Sequence, residues 1–575
     1  MSHRAFQWNK SRKLPNSLSA KSPEGLAHLQ QDVIGEGRLI PGPFGEIPLL
    51  YADYTASGRA LGAVEKAIQE QVLPLYANTH TETSFTGKMT TRLREAARQA
   101  IAQSVGADDG YAVIFAGAGA TAAIDRCCRI LELAGGQSTE RLPKPVVFVG
   151  PFEHHSNDLV WRECDVDLVR IPLREDGLPD LDILKQQLQV NAERDIKVVA
   201  FSAASNVTGV KAPVAEIAQL AHRYGGIALF DYAASGPYVA INVAGSGQND
   251  HLDAVFLSPH KFVGGPGSSG VLVIRKAVCR SARPSVAGGG TVSYVTAEHH
   301  RYVQNIERRE EAGTPNILGD IRAGLAFRIK DGIGAEAIEQ REQALVSMAL
   351  ARWQGIGNFR LLGPQDQPKL AIFSFNIMAG EKAIHHNLVV AMLNDLFGIQ
   401  ARGGCSCAGP YGHELLAIDK KTADAHETLV QKGRSIYRPG WVRLGFNFFF
   451  SNESANYVIS AVEFIARYAP VLMKFYSVDE RSGVWVARYP DVPAQSGEPV
   501  TPYLLDTLFT MDASVGAADE PTATLDCFAR GLELVEQAKA LPLPANCHAE
   551  DVPVRWFWWP HEAEQAMQTQ VEMMP

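Results

Sequence analysis

One lysine stands where a lysine is costly. The stretch FLSPHKFVGGPGSSGVLVIR, residues 256–275, opens with an apolar, β-like run over Asp253 to Leu257. It breaks at Ser258-Pro259-His260-Lys261, turns through glycines, and resumes as an apolar run from Gly270 to Ile274. Two buried strands with an ammonium between them are expensive unless the amine is paired or neutralised. One chemical way to neutralise it is an imine with an aldehyde cofactor. That reading requires further groups: a carboxylate to hold a ring nitrogen, and hydroxyls or backbone N–H groups to hold an anion. An isolated S-x-H-K is otherwise a surface lysine in a hairpin loop, so the rest of the chain has to supply those groups.

The 575 residues are 46% hydrophobic and 20% charged, ordinary for globular chains and long enough for at least two domains. A net charge of −9, from 54 basic and 63 acidic side chains, argues against nucleic acid or an anionic membrane as partner. No apolar run reaches the roughly 18 residues of a membrane span, and the polar first residues read as no secretory signal. Eight cysteines without a C-x-x-C pair argue against a zinc ribbon or a thioredoxin-type site and suggest a reducing cytoplasm.

Along the chain, residues 1 to about 35 read as an arm or linker. Helical spacing is expected over Ala63 to Tyr76, a loop over Ala77 to Lys88 and a helix over Met89 to Val105. Short apolar strands then alternate with helices. The strands are Tyr111–Phe115, Pro145–Val149, Val166–Ile171, Ile196–Ser202, Ile227–Phe230 and Ala254–Leu257. This is the pattern of a mostly parallel sheet buried on both faces, whose ligands lie beyond the strands' carboxyl ends. After about residue 325 the pattern changes to long helices, a strand at Ala371–Asn376, the loop ARGGCSCAGPYG and the strand-like WVRLGFNFFF. The division expected is an N-terminal arm (1–38), a large α/β domain (39–325), a smaller α+β domain (326–470) and a C-terminal extension (471–575). In the extension a helix is expected over Thr524 to Lys539, and the aromatic run RWFWWP (residues 555–560) reads as a plug packed against the body.

The strand ends supply what the lysine needs. Gly117 to Thr121 precede a helix, whose free N–H groups and dipole suit a phosphate. Glu153-His154-His155-Ser156-Asn157 follow a strand, and an imidazole there can stack on an aromatic ring or carry protons. Asn206 can donate to a phenolate oxygen or close an Asx-turn. Asp231 ends the strand GIALFD, where a carboxylate can hold a pyridinium proton. Each signal is weak alone. Their order, at successive strand ends before Ser258, His260 and Lys261, points to pyridoxal phosphate (PLP).

With these residues in view, the sequence resembles the class V aminotransferase-fold PLP enzymes, in the cysteine desulfurase and selenocysteine lyase branch. The resemblance runs from about Tyr51 to about Tyr468. It rests on YADYTASG, EHHSN, SNVTG, DYAA, the HK pair, GGGTV, EAGTPN, RGGCSC and VRLGFN. It implies the type I PLP transferase fold. It implies that Lys261 forms the imine, that His154 stacks on the ring, and that Asn206 and Asp231 meet its oxygen and nitrogen. Thr121, Ser258 and His260 would hold the phosphate. Thr314 would reach the phosphate of a partner subunit, implying a homodimer, and Arg443 would grip a substrate carboxylate.

RGGCSC offers two loop thiols poorly placed for core packing, with Arg402 near enough in sequence to favour a thiolate. In a desulfurase such a thiolate takes sulfur from L-cysteine as a persulfide and alanine leaves. The resemblance favours Cys407 over Cys405, and the C-x-C spacing is also similar to molybdenum cofactor sulfurases. A sulfur-acceptor protein is the implied partner. Ala234 stands where many family members have Gln, which removes one hydrogen bond to the cofactor. The alternatives are another class V reaction (aminotransferase, β-lyase or selenocysteine lyase) or a non-catalytic scaffold of the same fold.

Overall fold

The computed structural model describes residues 23–79, 81–134, 143–488, 526–545 and 552–571. The start of the arm, residues 489–525 and Thr524 lie outside the described residues. The apolar runs form the expected strands: β1 (Tyr111–Ala116), β2 (Val146–Val149), β3 (Asp167–Arg170), β4 (Lys197–Ser202), β5 (Ile227–Asp231), β6 (Ala254–Leu257) and β7 (Gly270–Arg275). They make one seven-stranded sheet in the order β1-β7-β6-β5-β4-β2-β3. Only β7 runs against its neighbours, pairing antiparallel with both β1 and β6. Six strands therefore point their carboxyl ends the same way. β1, β2, β4, β5 and β6 are buried at every position, which is why each reads as a continuous apolar run. Apolar cores lie on both sides of the sheet.

A second, antiparallel sheet contains β8 (Phe359–Leu361), β9 (Ile372–Ala379), β10 (Arg402–Gly404) and β11 (Trp441–Gly445), in the order β8-β9-β11-β10. The strand-like WVRLGFNFFF is strand only to Gly445; Phe446, Phe448, Phe449 and Phe450 are buried in the turn that follows. The core around this sheet also takes in Leu29 and Val33 near the amino end and Leu534, Val535, Phe557, Trp558 and Trp559 from the extension. The helix Pro23–Gln31 lies inside the expected arm, and Gln30 hydrogen-bonds Ser454 at 3.0 Å. Residues 23–38 are thus docked rather than a free linker. RWFWWP is packed against the body, as its aromatic density implies: Trp558 Nε1 donates to the Ala379 carbonyl at 2.9 Å.

Two local boundaries differ from expectation. The helix expected from Met89 begins at Phe85, because Ser84 caps it by accepting the Gly87 N–H. The segment Ala63–Tyr76 is not one helix: an α-turn over Gly62–Ala67 passes into a π-helical stretch and then a 3-10 turn at Leu73–Leu75, where Pro74 ends regular pairing.

Candidate active site

The carboxyl ends of β1, β2, β4, β5 and β6 converge on a cavity of about 220 Å³. Nine of the residues singled out from sequence line it: Thr121, His154, Asn206, Asp231, Ser258, His260, Lys261, Cys407 and Arg443. The fold brings them together because each follows a strand end of one sheet, except Cys407 and Arg443, which the second sheet contributes from β10 and β11.

Lys261 closes a 3-10 turn, its N–H donating to the Ser258 carbonyl at 2.9 Å. The turn is backed by Gly58 of YADYTASG, whose N–H donates to the His260 carbonyl at 2.8 Å. A Cβ on Gly58 would lie 1.9 Å from the Phe262 carbonyl oxygen, so only glycine permits this approach. Burial pulls the Lys261 ammonium down to about 8, against the opposing charge of Asp231. Asp231 is 4% exposed, its carboxylate accepts the Ala233 N–H at 2.8 Å, and burial raises its pKa. Burial and the nearby Lys261 charge lower His154 to about 3 and His260 to about 4, so both rings are neutral at pH 7. His154 accepts the Ser156 N–H through Nδ1 at 3.1 Å, which fixes its ring.

At the other end of the cavity the helix Gly119–Ile130 begins with no side-chain cap. Ser258 Oγ accepts the Ala120 N–H at 2.9 Å, and Thr121 and Ser156 hydroxyls lie 2.6 Å apart. Gly119 has φ of +61°, and a Cβ there would meet Ser258 Oγ at 3.0 Å. An uncapped helix start ringed by hydroxyls and an imidazole is an anion cradle. Two buried polar atoms of lining residues, Asn206 Oδ1 and Arg443 Nε, have no hydrogen-bond partner. Cradle, amine, buried carboxylate and orphaned atoms fit the phosphate, aldehyde and ring nitrogen of PLP.

Cys407 is exposed at the cavity, whereas Cys405 is half-buried among Phe152, Ala408, Tyr411 and Trp441 and does not line it. Thr314 is exposed and also lies off the cavity of its own chain. Its loop is fixed nearby, where Glu311 accepts the Phe115 N–H at 2.8 Å and pairs with Arg98. Arg443 is 2% exposed and ion-paired to Asp53 at 2.8 Å.

Sequence reasoning gave Asp53 and Glu153 no role of their own and took Arg402 only as a neighbour of the loop thiols. Asp53, the partner of Arg443, lies in YADYTASG with no local sign of its role. Arg402 lines the cavity, and among the described residues no carboxylate pairs with it. Glu153, 2% exposed, accepts from Ser202 N–H (2.8 Å), Ser202 Oγ (2.6 Å) and Asn157 Nδ2 (2.6 Å), stapling the loop after β2 to the end of β4. Burial pushes its carboxyl up to about 7. A buried acid beside two histidines was the available signal.

Residues 50–453 match the family model described as aminotransferase class-V. The chain belongs to the class-V aminotransferase family. Among curated relatives, a probable cysteine desulfurase of Halalkalibacterium halodurans is 31% identical over 368 residues, 63% of this chain and 85% of the relative. A cysteine desulfurase of Escherichia coli is 28% identical over the same shares. Among solved structures, the apo cysteine desulfurase of Thermococcus onnurineus NA1 superposes with a TM-score of 0.60 at 25% identity, covering 73% of this chain and 94% of that one. The E. coli cysteine desulfurase CsdA gives a TM-score of 0.60 at 23% identity, with 76% and 97% covered. The fold is the type I fold of PLP-dependent transferases, and the family's neighbours here are its cysteine desulfurases. The match ends near residue 453, so the extension lies beyond it.

Proposed function

We propose that this protein is a PLP-dependent cysteine desulfurase that takes sulfur from L-cysteine onto Cys407 and releases alanine. The observation that carries this reading is the exposed Cys407 thiol on the same cavity as Lys261, Asp231 and Arg443. PLP, held by Lys261, Asp231, His154, Asn206 and the cradle of Thr121, Ser258 and His260, supplies a sink for charge developing at the substrate Cα.

The chain's own groups do the rest. Lys261, lowered to about 8, has a neutral fraction at pH 7 that would hold the cofactor and would move a proton at the substrate Cα. Asp231 would hold the cofactor's ring nitrogen, and His154, neutral at pH 7, would line the ring without adding charge. Arg443 binds the substrate carboxylate, with Asp53 holding its guanidinium in place. Cys407, as thiolate, forms an S–S bond to the substrate sulfur while the substrate's Cβ–S bond breaks. The electron pair stays with carbon, which is protonated and leaves as alanine; Cys407 is left as the persulfide.

The finer assignments belong to the same proposal. The exposed Thr314 serves the phosphate of a partner subunit in a homodimer. A sulfur-acceptor protein takes the persulfide sulfur. The cytoplasm suits a chain whose seven described cysteines are all free thiols; among the described residues no helix is long and apolar enough to cross a membrane. The chain works as a large unit to about residue 325 and a second unit to about 470, with the described part of the arm bonded to both units and the described parts of the extension packed in the second core.

Alanine and sulfide release from L-cysteine with reductant, in wild type and in Cys407→Ala and Cys405→Ala, tests the reading. Alanine release should vanish in Cys407→Ala and stay within about threefold of wild type in Cys405→Ala, since only the first touches the reacting sulfur. Undiminished turnover in Cys407→Ala would move the activity to a lyase of the same family.

A further inference from the structure

The turn carrying Cys407 is held by a residue outside the cavity. Ser406 and Cys407 both have positive φ, 51° and 56°. Side chains other than glycine adopt this region rarely, and two in succession persist only where the surroundings impose them. The turn is closed by its own backbone, the Ala408 N–H donating to the Cys405 carbonyl at 3.1 Å, and the side chains that hold it from outside are few. Asn206 Nδ2 donates to the Ser406 carbonyl at 2.7 Å. His155 holds the C-terminal side of Cys407 twice: its own N–H donates to the Cys407 carbonyl at 2.8 Å, and its Nε2 accepts the Gly409 N–H at 3.0 Å. Because Nε2 accepts, the ring is neutral with its proton on Nδ1. A Cβ at residue 409 would lie 3.3 Å from that Nε2, so glycine lets the turn settle against the ring. His155 itself does not line the cavity; its neighbours His154 and Ser156 do.

We infer that His155 is a positioning residue, whose imidazole Nε2 and backbone N–H hold the left-handed turn that presents the Cys407 thiol to the cavity. The inference rests on the sulfur transfer proposed above. His155 touches neither substrate nor cofactor. It acts by fixing the backbone that leaves the nucleophile, while Asn206 holds the residue before it, so that the thiol arrives oriented instead of sampling the extended conformations an unsupported Ser-Cys pair prefers.

The test uses the PLP-loaded, full-length protein as wild type, His155→Leu, His155→Asn, His155→Gln and His155→Leu with Ser406→Gly. Leu cannot accept a hydrogen bond, Asn is one carbon short, and Gln places an amide oxygen near the Nε2 position. Two quantities are read: kcat and KM for alanine release from L-cysteine, and amide hydrogen exchange of the peptide spanning Cys405 to Tyr411. The kcat of His155→Leu and His155→Asn should fall on the order of 100-fold with KM within about threefold, the effect of misplacing a reacting group. Gln should restore most of the rate. Ser406→Gly, which adopts positive φ readily, should recover on the order of tenfold in the Leu background. Exchange of the peptide should quicken in Leu and Asn and stay slow in Gln.

Wild-type kcat in His155→Leu overturns the inference, as does an Asn variant equal to Gln in both readouts. Should His155→Leu not fold, the two polar variants decide alone. A wild type that releases no alanine would overturn the sulfur-transfer reading instead, and hydrogen exchange across the same variants still decides whether His155 holds the turn.

Discussion

Glu153 makes stability depend on pH in a way one substitution can isolate. Its carboxyl is raised from the ordinary 4.5 to about 7 by burial, which outweighs its three hydrogen bonds. The unfolded chain therefore releases this proton first as pH rises. Below about 4.5 both states hold the proton and the group contributes nothing pH-dependent. Between 4.5 and 7 the folded state holds more protons, so stability falls with rising pH, and above 7 the loss is complete. A shift of about 2.5 units corresponds to about 3 kcal/mol.

Glu153→Gln removes this titration. It also places an NH₂ opposite the Asn157 amide, which cannot rotate freely because Asn157 Oδ1 accepts the Trp161 indole N–H at 3.0 Å. That donor–donor conflict leaves a buried group unpaired at a cost of about 1–3 kcal/mol. The variant should be less stable than wild type at pH 4.5 and gain on it as pH rises. The difference should move by about 3 kcal/mol in favour of Gln by pH 8, crossing between about pH 5 and pH 7 according to the size of the donor–donor penalty. Urea unfolding of both proteins at half-unit steps from pH 4.5 to 8, at fixed PLP, measures it. Parallel curves for the two proteins would refute the assignment of a buried, raised carboxyl at Glu153.

Two further substitutions test how the site is backed. Gly58→Ala forces a methyl onto the Phe262 carbonyl beside Lys261. It should cost about 1–3 kcal/mol of stability and weaken PLP uptake, seen as reduced visible absorbance at equal protein. Trp558→Ala, deep in the extension and 5% exposed, should destabilise the protein by about 3–5 kcal/mol in denaturant unfolding while leaving the KM for L-cysteine within about twofold, because Trp558 touches the second core and not the cavity.

Strand positions and the strand-end residues were legible because both follow from local pattern. A strand buried on both faces must be apolar throughout, and a parallel sheet gathers its carboxyl ends on one side. Asp231 and Lys261 could thus be placed before any contact was known. What stayed hidden depends on partners distant in sequence. Arg443 and Asp53 are 390 residues apart, and nothing near either one announces the pair. The surroundings of Cys405 and Cys407 were equally non-local: the two share one loop, yet Cys407 lines the cavity while Cys405 packs beside Tyr411 and Trp441.

The same distinction explains the Cys407 turn. A sequence of the form Cys-Ser-Cys carries no left-handed preference, and by propensity the segment reads as an ordinary polar loop. Its conformation is imposed by His155 and Asn206, which lie at the ends of β2 and β4 in the other sheet. The thiol is therefore tied to the strand ends that build the cofactor cradle, although its own strand, β10, belongs to the second sheet. Phe152 and Val207 from the first sheet's loops pack with Ala408, Tyr411 and Trp441, so a relative shift of the two sheets would disturb that packing together with these three hydrogen bonds. Cys407 and Lys261 are consequently held in one frame, as the sulfur transfer proposed above would require.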